Sequence, residues 1–311
     1  MMSAVPYDEV TVGVGATDLH DSIQIALANM PVDEKDIEAS YLGTPRLGRA
    51  RLKPFTTLLN EISKHSGDNK RPVDLVVFPE VSVPHAWESM LAAWVRRHRI
   101  GVVCGLEHRI DFKGRAHNEV LALLPYKTAS GHWACLPVRR LKRFCSPEER
   151  FVLENEGLRL PKDKRNSYHL FRWRGASFAI YNCFELASIE DRSLFKARVD
   201  FIVATEFNRD INYFSNIVES AARDLHCYVI QVNDSRFGDS RVVSPSRTEV
   251  MNPLRIKGGD NLTFLTMRLD LNALRTHQRK GYGLQKESRE FKPTPPDFPK
   301  SELDKRIALG K

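Results

Sequence analysis

Cys183 is the residue of this chain best placed to act as a nucleophile. It follows the apolar run SFAIY, which predicts a buried strand, and an acid, Glu185, comes two positions later. Reactive groups of α/β folds tend to lie at such strand ends. A thiol there becomes a nucleophile when a cation and a base lie nearby. The question is whether the chain supplies these two partners.

Glu80 and Lys142 are the candidates for the base and the cation. Glu80 closes the apolar run DLVVFPE, and Lys142 lies in PVRRLKRFCSPEER, with Glu149 seven positions further on. Glutamate, lysine and cysteine therefore occur in this order, each at the end of a strand-like run. Side chains that close such strands are expected at the same kind of sheet edge.

This order resembles the nitrilase, or carbon–nitrogen hydrolase, superfamily. That family uses a Glu-Lys-Cys triad, usually with a second glutamate shortly after the lysine. The resemblance implies that Glu80, Lys142 and Cys183 form the triad and that Glu149 is the second glutamate. It also implies an α/β fold of the nitrilase type, a four-layer α-β-β-α sandwich, and catalysis without a cofactor.

The resemblance extends over roughly residues 9–272. Its individual motifs are weak, but their order and spacing together are specific. They are VTVGVGATDL as the first strand, GVVCGLEHR and HNEVLALLP as the strands between the glutamate and the lysine, VDFIVATE after the cysteine, CYVIQVND closing on Asn233, and GDSRVVSP as the Gly-x-Ser strand.

The implied chemistry is covalent catalysis on an amide or nitrile carbon. The Lys142 ammonium would favour the thiolate and stabilise the oxyanion, together with the backbone N–H of Phe184. Glu80 would take the thiol proton, pass it to the departing amine and then activate water. Glu149 would orient the lysine and help to hold substrate, and Asn118 is a further candidate for binding substrate.

Each of these residues also has a structural interpretation. A lone cysteine after a strand is usually a core residue, and Glu80 would suit the first turn of a following helix. Lys142 lies among arginines, as a surface charge would, and Ser146 with Glu149 would suit a helix cap. Asn118 and Asn233 would serve to satisfy turn backbone. Because Glu80, Lys142 and Cys183 all match the family in order and context, the catalytic interpretation is favoured for these three residues.

Two segments depart from the family pattern. Arg140 and Leu141 precede the lysine where many members have Tyr-Arg, and ESAARDLHC replaces the usual Arg-Ala-x-Glu-Asn. The stretch ARDLHCYVIQVNDSRFGDSRVVSPS is more similar to nitrilase-type domains attached to bacterial defence reverse transcriptases. These departures leave the triad in place. They also mean that the substrate of a well-studied family member cannot be assigned to this chain.

Composition is compatible with a cytoplasmic globular protein. The 311 residues are 42% hydrophobic, and no run of 18 apolar residues predicts a membrane span. MMSAVPYDEV does not have the pattern of a signal peptide. Five cysteines without framework spacing indicate reduced thiols, and no CxxC or His-rich cluster indicates a metal site. The net charge is +8, and the basic residues are scattered along the sequence, which favours a solvated surface over a nucleic-acid-binding face.

Apolar spacing predicts three helices, over residues 51–64, 85–98 and 212–226, with strands between them and from 227 to 270. Residues 28–50 are interpreted as an insertion between the first strand and the first helix. The chain is divided into a hydrolase domain, residues 1–277, and a charged, proline-rich segment, residues 278–311, that is either disordered or an arm packed on a neighbour.

The leading hypothesis is an amidase-like hydrolase of a small-molecule amide or nitrile. The family resemblance implies a homodimer or a larger even-numbered oligomer, with residues 212–226 as a candidate interface. The alternative is a nitrilase-fold assembly or effector protein in a bacterial defence system, associated with a nucleic-acid enzyme such as a reverse transcriptase. The intact triad favours the enzyme, and no membrane association is expected.

Overall fold

The structure is a computed structural model that describes residues 7–13, 19–68, 72–161 and 167–309. Its strands are β1 Tyr7–Val12, β2 Ser22–Asn29, β3 Leu75–Val77, β4 Gly101–Gly105, β5 Arg109–Ile110, β6 Ala116–His117, β7 Glu119–Lys127, β8 Trp133–Leu141, β9 Tyr168–Trp173, β10 Ala176–Asn182, β11 Phe201–Thr205, β12 Tyr228–Val232, β13 Ser240–Val243, β14 Leu254–Ile256 and β15 Thr263–Asp270. The helices are α1 Glu34–Tyr41, α2 Arg49–Asp68, α3 Glu88–His98, α4 Pro147–Asn155, α5 Ile189–Ser193, α6 Ile211–Leu225, α7 Leu271–Arg279, α8 Tyr282–Glu287 and α9 Lys300–Leu309.

Two large sheets contain all of these strands except β5 and β6, which pair with each other. One sheet has the order β1-β9-β10-β11-β12-β13-β14, and the other has the order β15-β2-β3-β4-β7-β8. The strands β10, β11 and β12 run parallel, as do β2, β3 and β4. Every residue of β10, β11 and β12 is buried, which explains why these runs are apolar throughout instead of alternating.

The two sheets pack face to face, with a helical layer on each outer side. Side chains of both sheets, such as Leu27, Val77, Phe178 and Val203, form one core between them. A second core lies between the six-stranded sheet and the helices α2 and α3, and a third lies between the seven-stranded sheet and α6. This arrangement is the four-layer α-β-β-α sandwich that the resemblance implied.

The helices expected from apolar spacing are confirmed. Residues 51–64 lie within α2, and residues 212–226 correspond to α6. Residues 85–98 begin as a short 3-10 turn, His85–Trp87, and continue as α3. Both α3 and α6 end where a residue enters the left-handed region, at Arg99 and His226, and these residues close the helix as a C-cap does.

The beginning of the chain differs from the prediction. The run VTVGVGATDL contributes only its first residues to β1, which pairs with β9 at the edge of a sheet, and residues 14–18 lie outside the described part. The strand beside β3 is instead β2. The predicted insertion, residues 28–50, contains the helix α1, whose first turn is capped by Asp33. Its polar composition concealed this helix.

The segment after Gln278 also differs from the prediction, because it packs on its own chain. It forms α8 and α9, with its prolines between the helices, and Phe291, Phe298, Leu303 and Ile307 are buried. Arg306 is 1% exposed and donates to the Val199 carbonyl. Prolines exclude one continuous helix but not two short ones, and the apolar side chains provide the burial that orders them.

Across the residues that the structure describes, no helix combines the length and the apolar character needed to cross a membrane.

Candidate active site

The turn that carries Glu80 follows β3 and lies against the end of β4. Gly105 makes this contact feasible, since a Cβ at that position would lie 2.4 Å from the Glu80 Cα. Backbone hydrogen bonds from Gly105 to Pro79 and from Ser82 to Gly105 fix the turn. Val81 has a φ of 47°, a strained conformation for a β-branched residue. Close packing and these hydrogen bonds thus fix the turn that carries Glu80 and hold Val81 in its strained conformation.

Lys142 lies directly after β8 and is held between two carboxylates. Its Nζ donates to Glu80 Oε1 at 2.8 Å and to Glu149 Oε2 at 2.5 Å. All three side chains are largely removed from water. Glu149 belongs to the first turn of α4, where its backbone N–H donates to the Ser146 hydroxyl. The capping and lysine-binding interpretations of Glu149 are therefore both correct, because they use different parts of the residue.

Asn118 joins the two glutamates to the strand that leads to Cys183. Its Nδ2 donates to Glu80 Oε1 at 3.0 Å and to Glu149 Oε1 at 2.7 Å. Its Oδ1 accepts from Asn182 Nδ2 at 2.9 Å. Because the amide is occupied by protein groups, these contacts favour a positioning function over the expected contact with substrate.

Cys183 lies at the tip of a sharp turn after β10. It has a φ of 50°, and it begins the 3-10 turn Cys183–Ala187. A left-handed conformation at a non-glycine residue is strained, and such strain is concentrated at functional sites. Phe184 follows as the next residue of the turn, where the first N–H groups lack acceptors within the helix. The turn therefore presents the thiol and a neighbouring N–H together.

An ion pair between Arg140 and Glu185 holds this turn against the end of β8. The guanidinium donates to both carboxylate oxygens of Glu185, each at 2.6 Å. Glu185 also accepts from the backbone N–H of Asn182 at 2.7 Å and of Arg143 at 2.6 Å. The arginine that departs from the family pattern thus locks the Lys142 strand to the Cys183 turn.

The charges of the site keep Lys142 protonated and Cys183 neutral. Burial lowers the pKa of Lys142, but the charges of Glu149 and Glu80 outweigh it, so the pKa lies well above its usual value. Burial raises the pKa of the Cys183 thiol well above its usual value, and Glu80 adds to this, whereas Lys142 and the Phe207 N–H lower it. Burial and the Glu80 carboxylate thus oppose the thiolate that the sequence analysis expected, whereas Lys142 favours it.

Glu149 is kept ionised at the same site. Burial raises its pKa, but the Lys142 charge and His108 outweigh this effect and hold the pKa well below its usual value. His108 Nε2 lies 3.5 Å from Glu149 Oε1. These neighbours thus favour the ionised form of the residue expected to orient the lysine.

Glu206 is a residue of the site that the sequence analysis missed. It directly follows β11, is fully buried, and in its ionised form would raise the pKa of Cys183. The signal that singled out Glu80, an acid at the end of an apolar run, was also present in VDFIVATE. Asn233, by contrast, serves the turn backbone, since its side chain bonds to main-chain groups of Asn208 and Gly238.

The other four cysteines lie in different surroundings. Burial raises the pKa of each, to about 11 for Cys135, to about 12 for Cys145 and Cys227, and further for Cys104. All five are free thiols. Within the described ranges, no group of three or more His, Cys, Asp or Glu side chains is arranged to hold a metal ion.

Comparisons with known proteins identify this architecture. No protein-family profile and no curated protein matches the chain. An amidase from Nesterenkonia sp. has a similar structure, with a TM-score of 0.56 at 15% identity over 87% of this chain and 98% of the amidase. A CN-hydrolase superfamily protein from Xanthomonas campestris, with an arsenic adduct in its active site, gives a TM-score of 0.55 at 15% identity over 86% and 97%.

A further match is a variant of the Nesterenkonia amidase in which the acetamide moiety of fluoroacetamide is covalently added at the active-site cysteine. It has a TM-score of 0.56 at 14% identity and covers 88% of this chain and 99% of that one. The chain therefore has the fold of nitrilase-superfamily structures over most of its length.

Proposed function

We propose that this chain is a carbon–nitrogen hydrolase of the amidase type that cleaves a small-molecule amide through a thioester on Cys183. The observation that carries the proposal is the Lys142 ammonium, bound by the carboxylates of Glu80 and Glu149 at the sheet edge where the strained Cys183 turn lies. The amidases with a similar fold add support. Amides are favoured over nitriles because amide hydrolysis is the commoner activity of the superfamily.

In the first step, the Cys183 sulfur attacks the amide carbon. Because the thiol is neutral at rest, its proton moves to Glu80 as the sulfur–carbon bond forms. We assign this proton to Oε2 of Glu80, since Oε1 already accepts hydrogen bonds from Lys142 and Asn118. Lys142 and the Phe184 N–H stabilise the negative charge on the amide oxygen.

In the second step, Glu80 gives the proton to the nitrogen, the carbon–nitrogen bond breaks, and ammonia or an amine leaves. Water then attacks the thioester as Glu80 takes one of its protons, the carbon–sulfur bond breaks, and Glu80 returns the proton to the Cys183 sulfur as the carboxylic acid leaves. Glu149 and Asn118 keep Lys142 and Glu80 in position throughout. An amine in place of water would convert the same site into an acyltransferase.

The proposal is tested by looking for a covalent adduct on Cys183. Wild type and Glu80→Gln are incubated with a panel of small amides and with fluoroacetamide, and peptide mass mapping locates any added group. We expect an adduct on Cys183 alone, together with ammonia release by the wild type. Cys183→Ala is the control and gains no mass. An adduct on another cysteine, or none on any, contradicts the proposal.

The alternative function makes the opposite prediction in this experiment. An assembly or effector protein that only uses the fold would acquire no acyl adduct and release no ammonia with any amide of the panel. The location of the gene beside defence genes instead of metabolic genes would favour it.

A further inference from the structure

Glu206 is a buried carboxyl group that the proposed reaction does not use. It is 0% exposed and lies at the end of β11, the neighbour of the strand that ends at Cys183. Its backbone carbonyl accepts from the Glu80 N–H at 3.2 Å, and the N–H of the next residue, Phe207, bonds to the Cys183 thiol. Glu206 is therefore fixed between the nucleophile and the base.

The two carboxyl oxygens of Glu206 have different surroundings. Oε2 accepts from Gln231 Nε2 at 2.8 Å, and Gln231 Oε1 in turn accepts from Arg241 Nε at 2.9 Å. This relay fixes the plane of the carboxyl group. Oε1 is buried and has no hydrogen-bond partner in the part of the chain that the structure describes. A buried polar atom without a partner is unfavourable unless a ligand supplies one.

The surroundings keep this carboxyl group protonated. Burial raises its pKa to about 8; Gln231 and Arg241 oppose the shift, whereas the charges of Glu80 and Asp239 add to it. The Cys183 thiol also lies close to this carboxyl group, and burial raises the pKa of the thiol well above its usual value. Since Oε2 accepts the Gln231 N–H, the proton is placed on Oε1. The unoccupied oxygen is therefore a hydrogen-bond donor.

The remaining question is which part of a substrate this donor faces. In the proposed reaction the amide oxygen is bound by Lys142 and the Phe184 N–H, and the leaving nitrogen receives its proton from Glu80. The substituent that is left on the carbonyl carbon is the acyl chain. A donor beside Cys183 that serves neither of the other two groups is free to bind this chain.

We propose that Glu206 is a specificity-determining residue whose Oε1 hydroxyl donates a hydrogen bond to an acceptor oxygen on the acyl chain of the substrate. The inference rests on the proposed amidase function and adds a substrate class, namely small amides with an ether, carbonyl or hydroxyl oxygen in the acyl part. Plain alkyl amides of the same length would leave the donor unpaired and bind less well.

The kinetic test compares 3-methoxypropanamide with pentanamide, which differ by an oxygen in place of a methylene. Wild type is expected to prefer the ether in kcat/KM by roughly five- to tenfold, mainly through KM. Glu206→Gln retains a donor at this position and keeps the preference, whereas Glu206→Leu loses it. In wild type the preference should also fall above pH 8, where the donor proton is lost, and in Glu206→Gln it should not.

A second measurement does not depend on turnover. Infrared difference spectra of Cys183→Ala should show the band of a protonated carboxyl group at pH 7. This band should be absent from the double variant that carries both Cys183→Ala and Glu206→Gln. We expect this band to shift with 3-methoxypropanamide and not with pentanamide. A shift without any turnover by wild type supports the inference and contradicts the proposed function.

Other outcomes overturn the inference. If wild type hydrolyses amides and Glu206→Leu keeps the same preference, the proposed function stands and Glu206 has no part in specificity. The inference also fails if the band is missing at pH 7 or if neither amide shifts it. A purely structural Glu206 would give a protonated band that no amide changes.

Discussion

The two ends of β11 carry two buried acids that are treated in opposite ways. Asp200 precedes the strand and Glu206 follows it, and both are 0% exposed. Asp200 is bound by Arg275 at 2.8 and 2.6 Å and by the Ser177 N–H at 2.8 Å, with Arg306 3.5 Å away. Glu206 accepts from the amide of Gln231, and the cation of Arg241 lies one hydrogen bond further away, on Gln231.

The protonation of the two acids follows from their partners. Burial raises the pKa of Asp200, but the charges of Arg306 and Arg275 outweigh it, so the pKa lies below its usual value. Burial also raises the pKa of Glu206, and its neighbours leave it at about 8. The same degree of burial thus gives an anion at one end and a neutral acid at the other.

This difference separates a stabilising end of the sandwich from a chemical end. At the Asp200 end, cations outnumber carboxylates, and the second arginine comes from α9, so the interaction fastens the last helix to the sheet. At the Glu206 end, Lys142 lies between the carboxylates of Glu80 and Glu149, and Glu206 is bound by an amide instead of a cation. Hydrogen-bonding atoms at this end that are not used within the fold, such as Oε1 of Glu206, are available to bind a substrate.

The largest effect is expected on turnover, at the chemical end. Cys183→Ala, Lys142→Ala and Glu80→Gln should each lower the amide hydrolysis rate by roughly four orders of magnitude or more, and double substitutions should be little worse, because the groups act in one step. Ammonia release measures this. Asp200→Asn, corrected for its folded fraction, should keep its turnover. Near-normal turnover of Glu80→Gln would remove that residue from the proposed mechanism.

The next largest effect is expected on stability, at the opposite end. Asp200→Asn leaves Arg275 and Arg306 buried without their counter-charge, which should lower the free energy of unfolding by roughly 3–5 kcal/mol. Denaturant unfolding measures the change. Glu302→Gln, which breaks the more exposed pair with Arg198, is the matched control and should cost less than about 1 kcal/mol. Equal losses in the two variants would refute the comparison.

The pH dependence of Glu206→Gln should have a definite sign. The folded pKa of Glu206, about 8, exceeds its usual value of 4.5, so wild type loses stability as the pH rises between these values. The variant lacks this loss. Its stability relative to wild type should therefore increase by on the order of 3 kcal/mol from pH 4.5 to pH 7. A difference that stays constant with pH would show that Glu206 is ionised.

A smaller difference is expected in the reactivity of the thiols. Burial raises the pKa of Cys183 well above its usual value and that of Cys135 to about 11, so burial by itself slows the reaction of both thiols. If Glu80 accepts the thiol proton, Cys183 should instead be alkylated first by iodoacetamide, by a margin of several-fold that peptide mapping can measure. Glu80→Gln should slow Cys183 and leave Cys135 unchanged. Labelling of Cys145 or Cys227 ahead of Cys183 would count against the mechanism.

The smallest effect is expected on assembly, which substitutions at either end of β11 should leave unchanged. We predict a dimer or a larger even-numbered oligomer that uses α6, where the Tyr213 side chain is about half exposed. Light scattering at micromolar concentration should report more than one subunit, and Tyr213→Lys should shift the average mass downward without unfolding the chain. A strictly monomeric wild type would contradict this prediction and weaken the assembly-protein alternative.

Much of the framework was readable from local pattern. The three helices were predicted because apolar residues recur at helical spacing, and the buried strands because their runs are apolar throughout. The helix α1 was missed because its sequence is polar. The strand β2 was missed although its run, SIQIALAN, is largely apolar, because the first strand had been assigned to VTVGVGATDL. The packing of α9 was missed because Arg306 finds its partners, Val199 and Gln278, far away in the sequence.

The sequence by itself determined which groups are available and in which order, namely Glu80, Lys142, Glu149 and Cys183 at the ends of successive strand-like runs. Only the tertiary structure decided their state. It brought Asn118 onto both glutamates, locked Arg140 to Glu185, raised the pKa of the Cys183 thiol and shifted the pKa values of Asp200 and Glu206 in opposite directions. The reason is physical, because proton affinity depends on burial and on charges that distant strands and helices bring near, whereas a sequence pattern records only neighbours along the chain.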